Sequence, residues 1–271
     1  MLTQADKARS FAALHRRDRA FVIPNPWDAG TTRLLESLGF EAVATTSAGY
    51  AYTLGKPDGA VGREAMLAHA AVIVASTELP VSADMENGYG DSPEMVAETV
   101  RLAAATGLAG CSIEDVPLGR GEPYDLAFAA ERVAAACEAV RALGLPFVLT
   151  ARAENFIVGR PDLRDTIARL QAYQEAGADV LFAPGIASEA DVAEVVRSVD
   201  RPVNIIMGLQ GASLTLDRLS ALGVKRVSVG SALSRAALGA FLRAAREMRD
   251  RGTFTFAADA AKYADLNAMF A

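Results

Sequence analysis

The sequence predicts an α/β protein of the (β/α)8 TIM-barrel class with additional C-terminal helices. Short apolar segments alternate with amphipathic helical patterns, and no change in composition divides the 271 residues. Alternation of strands and helices is typical of a parallel sheet, and one barrel takes about 250 residues. We therefore predict a single barrel domain over residues 1–271.

Eight apolar or β-branched segments have the length of strands. Most are apolar at consecutive positions, as expected for strands buried on both faces of a sheet. The strands are predicted at Phe21–Pro24, Ala42–Thr46, Pro80–Asp84, Gly110–Glu114, Pro146–Arg152, Asp179–Ala183, Pro202–Met207 and Lys225–Gly230. Amphipathic patterns predict helices between them, at Thr31–Leu38, Arg63–Ser76, Pro93–Thr106, Leu126–Leu143, Leu163–Ala176 and Ser188–Ser198.

Glycine follows five helical patterns, at Gly39, Gly107, Gly144, Gly177 and Gly223. Glycine accepts the left-handed conformation in which many helices end, and in each case the next strand follows within a few residues. An open, doubly wound sheet is the alternative architecture. Its dinucleotide-binding turn would need a GxGxxG sequence after an early strand, and the chain has none.

Two further helical patterns, Leu233–Arg251 and Phe256–Phe270, follow the eighth predicted strand. A barrel of eight strand–helix units does not require them. We expect these C-terminal helices, over about 233–271, to cover an end of the barrel or to pack on a neighbouring subunit.

Composition excludes several classes of protein. The formal net charge is −6 and no basic stripe is present, so nucleic-acid binding is not expected. No apolar run approaches the roughly 20 residues that span a bilayer, and the N-terminus lacks an apolar signal core. Cys111 and Cys137 form neither a disulfide framework nor a zinc motif. We expect a soluble, cytoplasmic protein without a membrane partner.

Polar residues gather where the predicted strands end, which is where barrel enzymes place their chemistry. Asp84, Glu86 and Glu114 follow the third and fourth strands. Carboxylates that converge repel one another unless a cation compensates them, and a hard cation with oxygen ligands only is best matched by Mg²⁺, with Mn²⁺ as a second choice. The alternative is that these acids cap helices or pair with Arg152.

Arg152, at the end of the fifth strand, is suited to bind a substrate carboxylate through its planar guanidinium. The alternative is an internal salt bridge to Glu114 or Glu154. A second anion site is indicated at positions 47–49, where small residues would let a ligand approach the backbone N–H groups. His15 and His69 fall within helical patterns, which argues against histidine-based catalysis.

Several segments together resemble the isocitrate lyase/phosphoenolpyruvate mutase superfamily. They are Pro24–Ala29, Gly39–Val43, Pro80–Gly90, Ile113–Asp115, Thr150–Ala153 and Tyr173–Asp179. The similar segments occur in the same order over most of residues 20–230. The sequence around Asn25–Asp28 is most similar to the phosphonomutase-like branch of the superfamily.

The resemblance implies a Mg²⁺-dependent barrel that stabilises a pyruvate-type enolate while a C–C or P–C bond breaks or forms. By position, Asp84 would bind the metal directly, and its waters would be held by Asp58, Glu86 and Glu114. The substrate carboxylate would bind to Ser47, Ala48 and Gly49, while Arg152 would bind its far end or support the enolate. A homotetramer that exchanges its last barrel helix between subunits is also implied.

The chain departs from the superfamily's isocitrate and methylisocitrate lyases after the fourth strand. Those lyases carry a KKCGH-like segment whose cysteine supplies a proton, whereas residues 116–124 read VPLGRGEPY. Arg120 stands where the first lysine would be, and an arginine stays cationic, so it could neutralise an anionic substrate but not transfer the proton. The second acid, commonly aspartate, is Glu86 in this chain.

Three functions remain open. The first is a Mg²⁺-dependent lyase of a small 2-oxo or 2-hydroxy carboxylate, with oxaloacetate decarboxylation as the simplest case because it needs no cysteine acid. The second is a P–C bond enzyme, either a phosphoenolpyruvate or carboxyphosphonoenolpyruvate phosphonomutase or a phosphonopyruvate hydrolase. The third is a barrel that binds a metabolite without turnover.

Overall fold

The computed structural model describes residues 2–209 and 213–270, so Met1 and Ala271 of the predicted domain lie outside the described residues. All eight predicted strands are present. They are β1 (Phe21–Ile23), β2 (Val43–Ala44), β3 (Val81–Asp84), β4 (Gly110–Glu114), β5 (Val148–Arg152), β6 (Val180–Phe182), β7 (Val203–Ile206) and β8 (Arg226–Ser228).

Eleven α-helices are seen in the described residues. They are α1 (Gln4–Leu14), α2 (Ala29–Ser37), α3 (Ser47–Thr53), α4 (Arg63–Ala75), α5 (Pro93–Ala105), α6 (Leu126–Ala142), α7 (Leu163–Ala176), α8 (Glu189–Arg197), α9 (Leu216–Ala221), α10 (Ala232–Arg251) and α11 (Tyr263–Phe270). The six helices predicted between strands are confirmed to within two residues at each end.

The strands form one parallel sheet in the order β1-β8-β7-β6-β5-β4-β3-β2. Pairing of the last strand with the first curls the sheet into a nearly closed (β/α)8 barrel. At the remaining seam the backbone N–H of Ala44 donates to Pro24 O at 3.0 Å. The Asn25 side chain also connects segments at this seam. Its amide N–H donates to Thr45 O at 3.0 Å, and its Oδ1 accepts from the N–H groups of Val229 and Gly230. The open-sheet alternative is therefore excluded.

Each of the five glycines predicted to end a helix has a positive φ, between 64° and 109°. The helices that end in these turns pack on the barrel through apolar side chains. Cys111 of β4 and Cys137 of α6 are buried in this core, as predicted, and burial raises the pKa of both thiols. They contribute to packing as small apolar groups.

Helix α1 closes the N-terminal end of the barrel; the sequence analysis placed His15 in a helical pattern but gave that helix no bounds. Its Phe11 is fully buried and packs edge-on against His15 at 4.8 Å and against Phe21 at 6.3 Å between ring centroids. Gly110 makes room for this ring, because a Cβ there would lie 3.0 Å from Phe11 and 2.5 Å from Val148 O.

The C-terminal helices are present, but the second is shorter than predicted. In place of one helix over Phe256–Phe270, a 3₁₀ turn at Thr255–Asp259 precedes α11. The carboxylate of Glu247 accepts hydrogen bonds from Thr253 and Thr255, and this fixes the turn directly after α10. Ala260 then adopts an extended backbone, with ψ 142°, which separates the turn from α11.

Helix α11 lies against α2 of the same chain. Arg33 donates to Phe270 O at 2.8 Å, and its guanidinium lies 5.8 Å from the Phe270 ring centroid. Helix α10 is mostly exposed, since only Ser234 and Glu247 among its residues are buried. No helix in the described part of the chain combines the length and the apolarity needed to cross a bilayer.

Candidate active site

Arg152 occupies the centre of the acid cluster at the carboxyl end of the barrel. Its Nη1 lies 2.9 Å from Asp84 Oδ1, its Nη2 3.0 Å from Glu114 Oε2, and its Nε 2.9 Å from Glu154 Oε1. Although burial opposes it, the charges of Glu154, Glu114 and Asp84 raise the pKa of Arg152, so this guanidinium is always charged. The internal salt bridges foreseen as an alternative are thus present, and they include a third acid.

Asp84 accepts hydrogen bonds at both carboxylate oxygens. Oδ1 accepts from Arg152 and from the Glu86 N–H at 3.2 Å, and Oδ2 accepts from the Ser47 hydroxyl at 3.1 Å. The Asp84 N–H donates to Thr45 Oγ1 at 3.0 Å. Residues that follow β2, β3 and β5 therefore converge on one carboxylate.

Among the carboxylates of the cluster, Glu86 is the one whose negative charge is least compensated by hydrogen bonds or positive charges of the protein. Its side chain is 5% exposed, and its Oε1 is buried without a hydrogen-bond partner in the described residues. Burial raises the pKa of Glu86 to about 8, the charges of Asp84 and Asp58 act in the same direction, and Arg152 opposes them. Its φ of 47° lies in the left-handed region, a cost that non-glycine residues accept chiefly at functional sites.

Asp58 reaches the cluster from the loop between α3 and α4. The residue as a whole is exposed at the rim, but its carboxyl group is partly buried and lies near enough to Asp84 to be affected by the Asp84 charge. Partial desolvation and the charge of Asp84 raise the pKa of Asp58. A Cβ on the adjacent Gly59 would lie 3.9 Å from Glu86 Oε2. The structure therefore brings the four predicted acids together.

Ser47, Ala48 and Gly49 form the first turn of α3 and are buried. Thr46 caps this helix, since its Oγ1 accepts from the Gly49 N–H at 3.2 Å. A Cβ on Gly49 would lie 2.5 Å from Thr46 Cγ2 and 3.2 Å from Trp27 Cβ, so packing alone requires glycine here. The N–H groups of Ser47 and Ala48 occupy the positively polarised end of the helix.

Arg120 lies apart from the cluster. It is exposed on the loop after β4, where its N–H closes a turn on Pro117 O at 3.0 Å. Within the described residues, no hydrogen bond or ion pair joins its side chain to the acids or to Arg152. The structure thus does not bring Arg120 together with the other predicted residues.

Tyr89 is a site residue that the sequence patterns did not single out. Its hydroxyl is buried without a partner in the described part of the chain, and its φ is 58°. Burial and the charges of Glu86 and Asp84 raise the pKa of Tyr89, so the phenol stays protonated at neutral pH. Its position in the Gly88-Tyr89-Gly90 segment was the available signal.

Arg132 holds the loop that carries these residues. From α6 its buried guanidinium donates to the carbonyl oxygens of Asn87, Gly90, Asp91 and Glu114. A buried arginine that binds four backbone acceptors fixes the loops after β3 and β4 relative to each other.

Asp115 fixes Glu154 in a similar way. Its carboxylate accepts from the Glu154 N–H at 2.9 Å, from Arg169 at 3.1 Å and from the Tyr173 hydroxyl. Glu154 in turn pairs with Arg152. Glu154 was foreseen only as a salt-bridge partner of Arg152, and the role of Asp115 was not predicted because its partners Arg169 and Tyr173 lie on α7, far away in the sequence.

The donor set fits a hard divalent cation. No three carboxylate, histidine or cysteine side chains of the described residues are close enough to bind one ion directly. However, the unpartnered Glu86 oxygen beside Asp84 and Asp58 is an arrangement that a cation would stabilise, with Asp84 as a direct ligand and the other acids through water. These are oxygen ligands only, as Mg²⁺ prefers.

Polar side chains gathered at the carboxyl ends of a closed parallel barrel define a (β/α)8-barrel enzyme. The phosphoenolpyruvate phosphomutase (PEP mutase) family model matches residues 11–249, and the chain belongs to this family. It is therefore a member of the isocitrate lyase/phosphoenolpyruvate mutase superfamily, as the sequence motifs implied.

Individual relatives cover nearly the whole chain. A structure from Burkholderia cenocepacia J2315, classed provisionally as a lyase/mutase, is 61% identical with a TM-score of 0.96 and covers 99% of this chain and 96% of its own. An uncharacterized protein of Mycobacterium tuberculosis is 35% identical over 89% of both chains. The oxaloacetate decarboxylase of Pseudomonas savastanoi pv. phaseolicola is 30% identical, covering 90% of this chain and 85% of that protein.

Proposed function

We propose that this protein is a Mg²⁺-dependent lyase that cleaves a C–C bond of a small 2-oxo or 2-hydroxy carboxylate through a pyruvate-type enolate, with oxaloacetate decarboxylation as the leading case. The observation that carries the proposal is the buried, unpartnered carboxyl group of Glu86 beside Asp84 and Arg152. A site without a ligand has no physical reason to retain such a group. The relationship to an oxaloacetate decarboxylase supports the substrate class.

In this proposal the chain's own residues bind and orient the substrate. Asp84 is the direct ligand of Mg²⁺ (or Mn²⁺), and Asp58, Glu86 and Glu114 hold its waters. When bound, the ion supplies positive charge for the substrate oxygen that becomes negative as the bond breaks.

The substrate's carboxylate binds at the first turn of α3. Its acceptors meet the N–H groups of Ser47 and Ala48, whereas the Gly49 N–H already donates to Thr46. Arg152 binds the other charged end, and to do so it exchanges one of its three carboxylate partners for the substrate. The protonated hydroxyl of Tyr89 is a further donor facing the acids.

The loop over residues 116–124 favours decarboxylation within the superfamily's chemistry. It holds neither cysteine nor histidine, and its Arg120 is exposed. Loss of CO₂ breaks the C3–C4 bond of oxaloacetate and leaves the electron pair on the pyruvate enolate, which water can protonate at C3. In the superfamily's isocitrate lyases the corresponding proton comes from a cysteine, which this loop lacks.

A metal-dependent activity screen tests the proposal. Oxaloacetate, phosphonopyruvate and substituted malates would be assayed with Mg²⁺, with Mn²⁺ and with EDTA, and Mg²⁺ binding would be measured by calorimetry for the wild type and Asp84→Ala. We expect turnover of a 2-oxo or 2-hydroxy acid that EDTA abolishes, and loss of Mg²⁺ binding in Asp84→Ala. Equal Mg²⁺ affinity in both proteins would refute the metal site. Mg²⁺ binding without turnover of any substrate would favour a metabolite-binding barrel.

The second candidate, a P–C bond enzyme, is favoured by the family model itself, which is that of phosphoenolpyruvate phosphomutase. The motif that suggested this branch has a structural explanation, however. Asp28 caps α2 through the Thr31 N–H at 2.7 Å, and Trp27 O contacts His69 Nε2 at 3.0 Å. Conversion of phosphonopyruvate, with oxaloacetate left intact, would establish the P–C activity in place of the lyase.

A further inference from the structure

The interior of the barrel contains a polar cavity below the acid cluster. Barrel interiors are ordinarily filled by bulky branched side chains. Here several inward positions carry small or polar residues instead, and they line a cavity of about 90 Å³: Ser82, Ser112, Asn204 and Ser228. Space of this size holds several water molecules or one small anion.

Arg226 lies at the N-terminal end of this cavity. It is 5% exposed, and its Nε donates to Asn204 Oδ1 at 2.9 Å and its Nη2 to Thr150 Oγ1 at 3.0 Å. Its Nη1 lies 3.4 Å from His15 Nε2. A guanidinium has five N–H donors, so these three contacts leave two donors without an acceptor among the residues that the structure describes.

All three partners of Arg226 are uncharged. Burial and the neighbouring Arg226 lower the pKa of His15 to about 3, so the imidazole is neutral at neutral pH. Burial lowers the pKa of Arg226 to about 9, which leaves the guanidinium charged. In the described residues no carboxylate forms an ion pair with Arg226, in contrast to the three that surround Arg152 at the other end of the cavity.

A buried charge without a counter-charge is costly, and buried charges in proteins are therefore paired. We propose that the barrel interior is an anion-binding site in which Arg226 binds a small monoanion, such as chloride or a one- or two-carbon carboxylate. Arg226 lines the cavity, its serines and Asn204 offer further polar contacts, and its volume of about 90 Å³ matches a small ion.

A carboxylate bound by Arg226 could come from two sources, because Asp84 and Arg152 line the same cavity from the active-site end. It is either a free anion of the medium or one end of a substrate that reaches inward. The site itself rests on Arg226 and the cavity and does not depend on the proposed reaction.

Thermal unfolding in EDTA tests the site with formate and chloride as probes. At 100 mM and constant ionic strength, formate or chloride in place of the bulky anion gluconate should raise the Tm of the wild type by roughly 2–5 °C. Asn204→Asp supplies a carboxylate beside Arg226 Nε, so this variant should lose the response. The matched control is Gln171→Glu on the exposed face of α7, which adds the same charge and should respond like the wild type.

Equal responses of the wild type and Asn204→Asp would overturn the proposal. A bromide soak of wild-type crystals gives a direct measurement that does not depend on a variant's folding. An anomalous peak within about 3.5 Å of the Arg226 guanidinium is expected, and its absence would also overturn the proposal.

The source of the anion is decided by calorimetry of malonate binding in Mg²⁺ with and without saturating formate. Weaker malonate binding in formate would support the site as one that takes the substrate's own carboxylate. Unchanged malonate binding would support it as a site for a free anion.

Discussion

Arg152 and Arg226 line the same barrel interior, but their surroundings differ. Arg152 is held by three carboxylates, whereas the partners of Arg226 are an amide, a hydroxyl and a neutral imidazole. Because three carboxylates balance the charge of Arg152, these ion pairs could serve only to stabilise the fold. Kinetics must therefore decide whether this arginine also acts on a substrate.

Replacement of Arg152 by lysine should lower kcat more than it raises KM. Lysine keeps the charge but loses the planar fork, and a charge-assisted contact made in the transition state is worth on the order of 1.5–3 kcal/mol, or roughly 10- to 150-fold in rate. Both kcat and the melting temperature would be measured on one preparation.

The control for Arg152→Lys is Arg101→Lys, because Arg101 forms an exposed ion pair with Glu98 on α5. It should leave kcat and the melting temperature nearly unchanged. An Arg152→Lys protein with wild-type kcat and a lowered melting temperature would show that Arg152 is structural only.

His15 should make stability depend on pH. Its pKa is 6.5 in the unfolded chain and about 3 in the folded protein, so between these values the unfolded chain binds one more proton. The free energy of unfolding should then fall as the pH decreases below 6.5, and between pH 6.5 and 4.5 His15 should account for about 2 kcal/mol. Urea unfolding of the wild type and His15→Gln at both pH values measures this difference. Equal losses in the two proteins would contradict it.

At the scale of elements, the loop between β3 and α5 is held by a side chain from α6. Replacing Arg132 by methionine would leave carbonyl groups of this loop buried without donors, which should destabilise the protein by about 2–5 kcal/mol. Urea unfolding checks the loss, and Arg101→Met, on the exposed face of α5, is the control. A loss below 1 kcal/mol would mean that water replaces the guanidinium.

The loop over residues 116–124 should exclude isocitrate and methylisocitrate as substrates. It offers no thiol, and Arg120 is exposed on it. Both substrates would be assayed with Mg²⁺ alongside oxaloacetate. Turnover of either at roughly 1 s⁻¹ or above would refute the role given to the missing cysteine.

At the scale of the whole molecule, the C-terminal region exposes large apolar side chains. Phe241 of α10 is 68% exposed and Tyr263 of α11 is 84% exposed. Extended exposed apolar surface marks an interaction site in many proteins. Together with the family membership, this exposure leads us to propose a homo-oligomer, with a tetramer as the expected state.

Light scattering at micromolar concentration should therefore report a mass well above the 28.4 kDa of one chain. Phe241→Glu would place a charge in the proposed interface and should lower the mass. Val72→Glu is the matched control, because Val72 is 52% exposed on α4, outside the C-terminal region. A wild-type protein of monomer mass would contradict the proposal.

The sequence by itself determined the strand and helix order of this protein. Apolar runs mark strands buried on both faces, and glycines such as Gly177 mark helix ends, because both signals reflect constraints on the local chain. The acids that follow β3 and β4 could be located for the same reason, since in any parallel barrel the strands end on one face. Helix α1 was given no bounds because its only large apolar residues are Phe11 and Leu14, and its burial depends on the barrel above it.

Only the tertiary structure decided which charges meet. In the sheet register Glu114 is opposite Arg152 and Asn204 is opposite Arg226, so one arginine is placed among acids and the other beside an amide. These neighbours come from different strands, and they are brought together only when β4 pairs with β5 and β7 pairs with β8. Local sequence patterns indicate whether a side chain is buried. Its hydrogen-bond and ion-pair partners depend on contacts between residues far apart in the chain.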